Sequence, residues 1–204
     1  KVIVTRDIPD EVELKLKEHF QVSFNREDKV FSNDILRKAM ESADGIVCTV
    51  TDSITDELFT LPKKKVKIIA NIGVGVDHID LQSAKENNVI ITNTPDVLTE
   101  STVDVATLLL LAVTRNAFLV EKMLRQDEWK GFSLTENLGV DVRGKILGVV
   151  GMGRIGKAFA KRAHEVFGMK VLYYNRSPVK DLTFEASVRF DLDVLLEESD
   201  VISL

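Results

Sequence analysis

Three glycines in the run Gly151-Met152-Gly153-Arg154-Ile155-Gly156 follow an apolar, β-branched stretch, Ile146–Val150. They open a segment in which Phe159, Ala163, Val166 and Phe167 recur at helical spacing. A strand, a tight turn and a helix in that order can hold a diphosphate, because the unpaired N–H groups of a helix N-terminus face the negative phosphates. Each glycine has its own task. Gly151 allows the turn, Gly153 lets the backbone approach a pyrophosphate, and Gly156 lets helix and strand pack closely. Gly168 can end the helix. With its flanking elements in place, the motif predicts dinucleotide binding through the amides around Met152 to Ile155.

The end of the next strand, Lys170–Tyr174, bears on which dinucleotide. A carboxylate about 20 residues past the last glycine would accept both hydroxyls of an adenosine ribose. This chain has Asn175 there, then Arg176 and Ser177, with Lys180 near. Asn brings no charge to repel a 2′-phosphate, while Arg and Ser can pair with one, so NADP(H) is favoured over NAD(H). Arg176 could equally point to solvent or stack on adenine.

The elements that must position these groups read as two α/β domains. Strands are expected at Val2–Thr5, Gln21–Phe24, Ile46–Val50, Val66–Ala70 and Val89–Thr92. Between them, Val12, Leu16 and Phe20 form a helical stripe facing a core. Ser32 can cap a helix that buries Ile35, Leu36, Ala39 and Met40. Short helices are read at Thr55–Leu61 and Leu81–Asn87. Continuous apolar strands alternating with helices argue for a parallel sheet covered on both faces. A long helix, Thr99–Arg115, follows, with Leu108 to Leu111 so apolar that little of it can face water; such helices lie between domains or subunits. Phe118–Trp129 reads as a helix and Gly131–Gly144 as a loop. The pattern then restarts with Ile146–Val150, Ile155–Phe167, Lys170–Tyr174, Val188–Phe190, Leu192–Ser199 and Val201–Leu204. The expected architecture is two doubly wound parallel-sheet domains over residues 1–97 and 98–204. The second is marked by its glycine loop as a Rossmann domain and is expected to stop at its fourth strand, with a bare apolar edge at Val201–Leu204.

Composition narrows the classes. Among 204 residues, 27 Lys and Arg stand against 32 Asp and Glu, so the net charge of −5 gives no overall attraction to nucleic acid or anionic membranes. A 45% hydrophobic content with 11 Gly and 4 Pro excludes collagen-like and low-complexity chains. The single cysteine, Cys48, forms no intrachain disulfide and no cysteine zinc cage, which suits a reducing cytosol. Val105–Val113 is too short for a membrane span, so a cytoplasmic protein is expected.

Three stretches together resemble the D-isomer-specific 2-hydroxyacid dehydrogenases: Asn71-Ile72-Gly73-Val74-Gly75-Val76-Asp77-His78-Ile79-Asp80, Asn93-Thr94-Pro95-Asp96-Val97-Leu98-Thr99, and the glycine loop. The second stretch, with the Leu-rich helix after it, looks most like the glyoxylate/hydroxypyruvate reductase branch. The resemblance implies a flavodoxin-like substrate domain up to about Val97 and a cofactor domain beyond. It implies an oxidoreductase passing a hydride between NAD(P)H and a small 2-oxo acid such as glyoxylate or hydroxypyruvate. Val74 and Gly75 would receive the substrate carboxylate on backbone N–H groups, Val74 also lying at the cofactor, and glycine-flanked amides can form such an anion nest. Thr102 matches a position beside the nicotinamide, although alone it reads as an ordinary first-turn residue. Arg154 and Ile155 match positions against the pyrophosphate and adenosine. Family catalysis uses an Arg, a His and a Glu that follow the fourth strand of the cofactor domain, so no catalytic residue is assigned within this chain, and the 204 residues alone are expected to be inactive. The same fold also serves as an NAD(H)-sensing corepressor scaffold, the alternative reading.

The remaining polar candidates read as structural. His78 adjoins the carboxylate loop but is taken as a loop residue, because the family places its acid elsewhere. His19 and His164 read as surface or satisfied core positions. Asp77 and Asp80 shape the loop and cap the next helix, with no His/Cys/carboxylate cluster to make a metal site. Trp129 and Phe132 fit either a subunit contact or a local staple. The apolar helix Thr99–Arg115 suggests a homodimer.

Overall fold

Ile3 lies in β1 (Val2–Val4), which pairs in parallel with β2 (Val22–Phe24) on one side and β3 (Gly45–Thr49) on the other. The computed structural model describes residues 1–177 and 179–204, which divide into two units, Lys1–Asp96 and Val97–Leu204. In the first unit the sheet continues through β4 (Ile68–Ile72) to β5 (Ile90–Thr92), giving the all-parallel order β2-β1-β3-β4-β5 of doubly wound, flavodoxin-like sheets. Its helices are α1 (Asp10–His19), α2 (Asn33–Ser42), α3 (Asp56–Phe59) and α4 (Leu81–Glu86). Ser32 caps α2 by accepting the Ile35 N–H, and Asp80 caps α4 by accepting the Ser83 N–H at 2.9 Å. The core gathers Leu36, Met40, Ile46, Leu58, Phe59 and Ile69.

Three expectations for this unit need correction. Val12 and Phe20 are exposed and Leu16 only half-buried, so the apolar stripe of α1 does not face the core. The buried residue is Glu13, whose carboxylate is gripped by Arg26 and Lys17, both of which also sit over the Phe24 ring. The side of α1 turned toward edge strand β2 is thus an ion-pair surface. In α2, Leu36, Ala39 and Met40 are buried while Ile35, beside the cap in the first turn, is exposed. The fourth strand begins at Ile68 rather than Val66, because the Lys65 and Val66 N–H groups both donate to the Met40 carbonyl and leave the ladder.

The second unit comprises α5 (Thr99–Thr114), α6 (Ala117–Arg125), β6 (Ile146–Val150), α7 (Arg154–Phe167), β7 (Lys170–Tyr174), β8 (Ser187–Val188), α8 (Leu192–Glu198) and β9 (Val201–Ser203). Its parallel sheet runs β8-β7-β6-β9, so the chain crosses from one side of β6 to the other, as in the first half of a Rossmann sheet. Val103 and Leu110 of α5 pack with Phe159, Ala160 and Ala163 of α7. Arg162 ties the two helices by pairing with Glu100 at 2.9 Å and with Asp104.

Here too the side chains depart from expectation. Leu108 is 63% and Leu109 49% exposed, because only the stripe of α5 through Val103 and Leu110 meets α7. In α7 the core-facing line runs through Gly156, Phe159, Ala160 and Ala163; Phe167 continues it half-buried, whereas Val166 falls well off it and is exposed. The short strand ends at Val188, and Phe190 is 91% exposed, since Asp191 already caps α8 by accepting the Asp193 N–H. No single helix among the described residues is long and apolar enough to cross a membrane.

Candidate functional site

In the second unit, the glycine loop joins the C-terminal end of β6 to α7. Gly151 has φ +99, a conformation that L side chains rarely adopt, and its N–H donates to the Tyr174 carbonyl at 2.9 Å. A Cβ on Gly156 would stand 2.2 Å from the Gly151 carbonyl oxygen, so these two glycines are required by the turn itself. Gly153 differs. Its φ is −78 and a Cβ there would meet nothing within 4 Å, so among the described residues neither backbone angle nor packing calls for glycine. An exposed glycine that the fold does not need, at the N-cap of a 14-residue helix, fits a ligand backbone lying against it.

The first intrahelical bond of α7 runs from the Lys157 N–H to the Gly153 carbonyl, which leaves the amides of Gly153 to Gly156 outside the helical ladder. Met152 is a correction to the expected donor set. Its N–H is taken by the Asn175 Oδ1 at 3.1 Å, and its side chain is buried. The Asn175 Nδ2 donates in turn to the Ser177 carbonyl at 2.8 Å, so Asn175 ties the glycine loop to the turn after β7. Arg176 and Ser177 beyond it are exposed, as are Arg154 and Ile155 in the first turn of α7. Thr102 is exposed in the first turn of α5 and its hydroxyl donates to the Leu98 carbonyl at 2.7 Å.

In the first unit, the loop after β4 is held by its carbonyls. The Asn71 Nδ2 donates to the Gly73 carbonyl at 3.2 Å and the Gly75 carbonyl at 2.8 Å, and the Asn93 Nδ2 donates to the Val74 carbonyl at 2.9 Å. The Thr94 N–H also donates to the Gly73 carbonyl, and the Ile79 N–H to that of Val76. Among the described residues, the N–H groups of Val74 and Gly75 make no hydrogen bond to protein. Held carbonyls with open amides are the arrangement that binds an anion without a basic side chain.

His78 is a loop residue, as expected: its Nε2 lies 3.1 Å from the Asn71 Oδ1 and its carbonyl accepts the Ile54 N–H. His164 is satisfied by the Met169 carbonyl at 3.0 Å, and His19 is exposed. Asp77 is exposed beside Gly75. Trp129 and Phe132 are exposed and line one 850 Å³ surface hollow with Val120 and Met123. Besides Glu13, two buried polar residues near these loops escaped the sequence reading. Asp52 accepts from the Thr5 hydroxyl at 2.5 Å and the Thr49 N–H at 2.9 Å, joining the ends of β1 and β3. Asn71 is the other; a polar residue interrupting the apolar strand Ile68–Ile72, two positions before a Gly-x-Gly, was its signal. Next to Asn71, burial, and then the charge of Asp52, push the Cys48 thiol up to about 12. It therefore stays protonated and donates weakly to the Asn71 Oδ1.

Known proteins resemble this chain in sequence and fold. The profile of the D-isomer specific 2-hydroxyacid dehydrogenase catalytic domain matches residues 2–194. The chain is 40% identical over 209 residues to the glyoxylate reductase of Thermococcus onnurineus, covering all of this chain and 62% of that protein. Among solved structures, the TT0316 protein from Thermus thermophilus superposes with a TM-score of 0.86 at 40% identity, over 100% of this chain and 63% of the other. D-lactate dehydrogenase from Aquifex aeolicus, solved with NAD and lactic acid, superposes with a TM-score of 0.83 at 28% identity, over 100% and 60%. The chain thus spans about three fifths of the length of these relatives, and it belongs to the D-isomer specific 2-hydroxyacid dehydrogenase family.

Proposed function

We propose that the protein is an NAD(P)H-dependent reductase of small 2-oxo acids, glyoxylate or hydroxypyruvate foremost, with NADP(H) preferred. The observation that carries this reading is Gly153, an exposed glycine at a helix N-terminus that neither backbone angle nor packing explains. The amides of Gly153 to Ile155 bind the diphosphate, with Arg154 and Ile155 against the pyrophosphate and adenosine and Thr102 beside the nicotinamide. Asn175 fixes the turn that carries Arg176 and Ser177, and these two pair with the 2′-phosphate. Gly151 and Gly156 hold the turn itself. When bound, the reduced nicotinamide supplies the hydride. Val74 and Gly75 hold the substrate carboxylate on their open N–H groups, with Val74 also touching the cofactor. The Leu108 and Leu109 face of α5 supports a homodimer, and the single buried thiol a cytoplasmic setting.

The test is oxidation of NADPH by glyoxylate, followed by absorbance in the full natural polypeptide. Turnover that Gly153→Val abolishes is expected. A protein that binds coenzyme but reduces no 2-oxo acid overturns the enzyme reading.

A further inference from the structure

We infer that Asn71, held in place by His78, is a positioning residue for the carboxylate of the 2-oxo acid; this rests on the function proposed above and deepens it. Asn71 is 2% exposed, and its amide is fully engaged: Nδ2 donates to the Gly73 and Gly75 carbonyls, and Oδ1 accepts from His78 and from the Cys48 thiol. The Gly73 and Gly75 carbonyls can only accept, so they hold Nδ2 on the loop side; Oδ1 then faces His78, which presents its proton on Nε2 and anchors that end of the amide.

The effect on the substrate follows from peptide planarity. In a trans peptide the C=O of one residue and the N–H of the next lie in one plane and point in opposite directions. Holding the Gly73 carbonyl against Asn71 therefore aims the Val74 N–H outward, and holding the Val74 carbonyl against Asn93 aims the Gly75 N–H. The second Asn71 bond, to the Gly75 carbonyl, fixes the far side of the same pair. Gly73 wraps tightly on this bracket: a Cβ there would meet Val50 Cγ1 at 3.1 Å and Asn71 Nδ2 at 3.4 Å. The loop is buried below and open above, so its two donors are fixed before a carboxylate arrives, and little ordering remains to be done on binding.

Asn71→Asp keeps the shape but replaces two donors with an oxygen that repels both carbonyls. In the full natural polypeptide it raises KM for glyoxylate about tenfold, with kcat and the NADPH dissociation constant within about twofold of wild type. His78→Leu raises KM about fivefold, and His78→Gln, which donates from its own amide, restores it. A change confined to stability would not split KM from kcat in this way. Wild-type protein that reduces no 2-oxo acid overturns the function and this assignment with it. Active wild-type protein with Asn71→Asp at unchanged KM overturns the assignment alone. Should Asn71→Asp fail to fold, the His78 pair decides, and equal KM values for Leu and Gln overturn the bracket.

Discussion

The Asn175 side chain accepts the Met152 N–H at 3.1 Å, which couples the end of β7 to the glycine loop after β6. Its other end donates to the Ser177 carbonyl, so both polar atoms of the amide work on the backbone. Arg176 and Ser177 beyond it are exposed, and in the proposed function they are the pair that meets the 2′-phosphate.

Asn175→Asp retains an acceptor for Met152 but sets a carboxylate oxygen against the Ser177 carbonyl and adds a negative charge near the proposed 2′-phosphate. NADPH affinity is expected to fall by at least about tenfold, with NADH affinity changed less. Fluorescence titration with both coenzymes measures it. Equal losses for the two would place the defect in the loop rather than in charge.

Arg176→Ala removes the proposed phosphate partner and, among the described residues, breaks no hydrogen bond that holds the turn. NADPH binding should weaken about 10- to 100-fold while NADH binding holds within about twofold. An unchanged preference for NADPH contradicts the assignment of Arg176.

Two glycines of the same loop separate fold from binding. Gly156→Ala drives a Cβ to 2.2 Å from the Gly151 carbonyl oxygen, and should cost roughly 1–3 kcal/mol of stability. Gly153→Ala meets no atom within 4 Å and keeps stability within about 1 kcal/mol, yet should lose coenzyme affinity. Urea unfolding beside coenzyme titration distinguishes the two.

Much of this was legible in the sequence because inner strands such as β6 are apolar throughout and the helices between strands carry caps such as Ser32 and Asp80, and because Gly151 and Gly156 are demanded by local geometry. Glu13 was not legible: its burial depends on Arg26, 13 positions away, and no periodicity encodes a partner at that distance. Val12 and Phe20 misled for the same reason, since a stripe marks an apolar face without saying what covers it. Asn71 and Asp52 were missed because, although their backbone partners lie two to four residues away, the side chains that complete them, Cys48 for Asn71 and Thr5 for Asp52, are brought near only by the fold.

Asp28 offers a pH signature. The Arg6 guanidinium hydrogen-bonded to it, helped by the Asp7 N–H, lowers its carboxyl from the ordinary 3.8 to about 2. A depressed carboxyl contributes stability that is present above the unfolded value and lost as pH falls through the folded one. The stability gap between wild type and Asp28→Asn should thus be constant above about pH 5 and close as pH falls from about 4 to about 2. Asn tolerates the φ of +51 at this position, so backbone strain does not enter the comparison. A gap that does not narrow over this range contradicts the ion pair.

Calorimetric titration of the full natural polypeptide with NADPH and NADH tests the proposed diphosphate site most directly. One saturable site per chain, tighter for NADPH and removed by Gly153→Val, is the expected result. No heat with either coenzyme from a folded protein would contradict it.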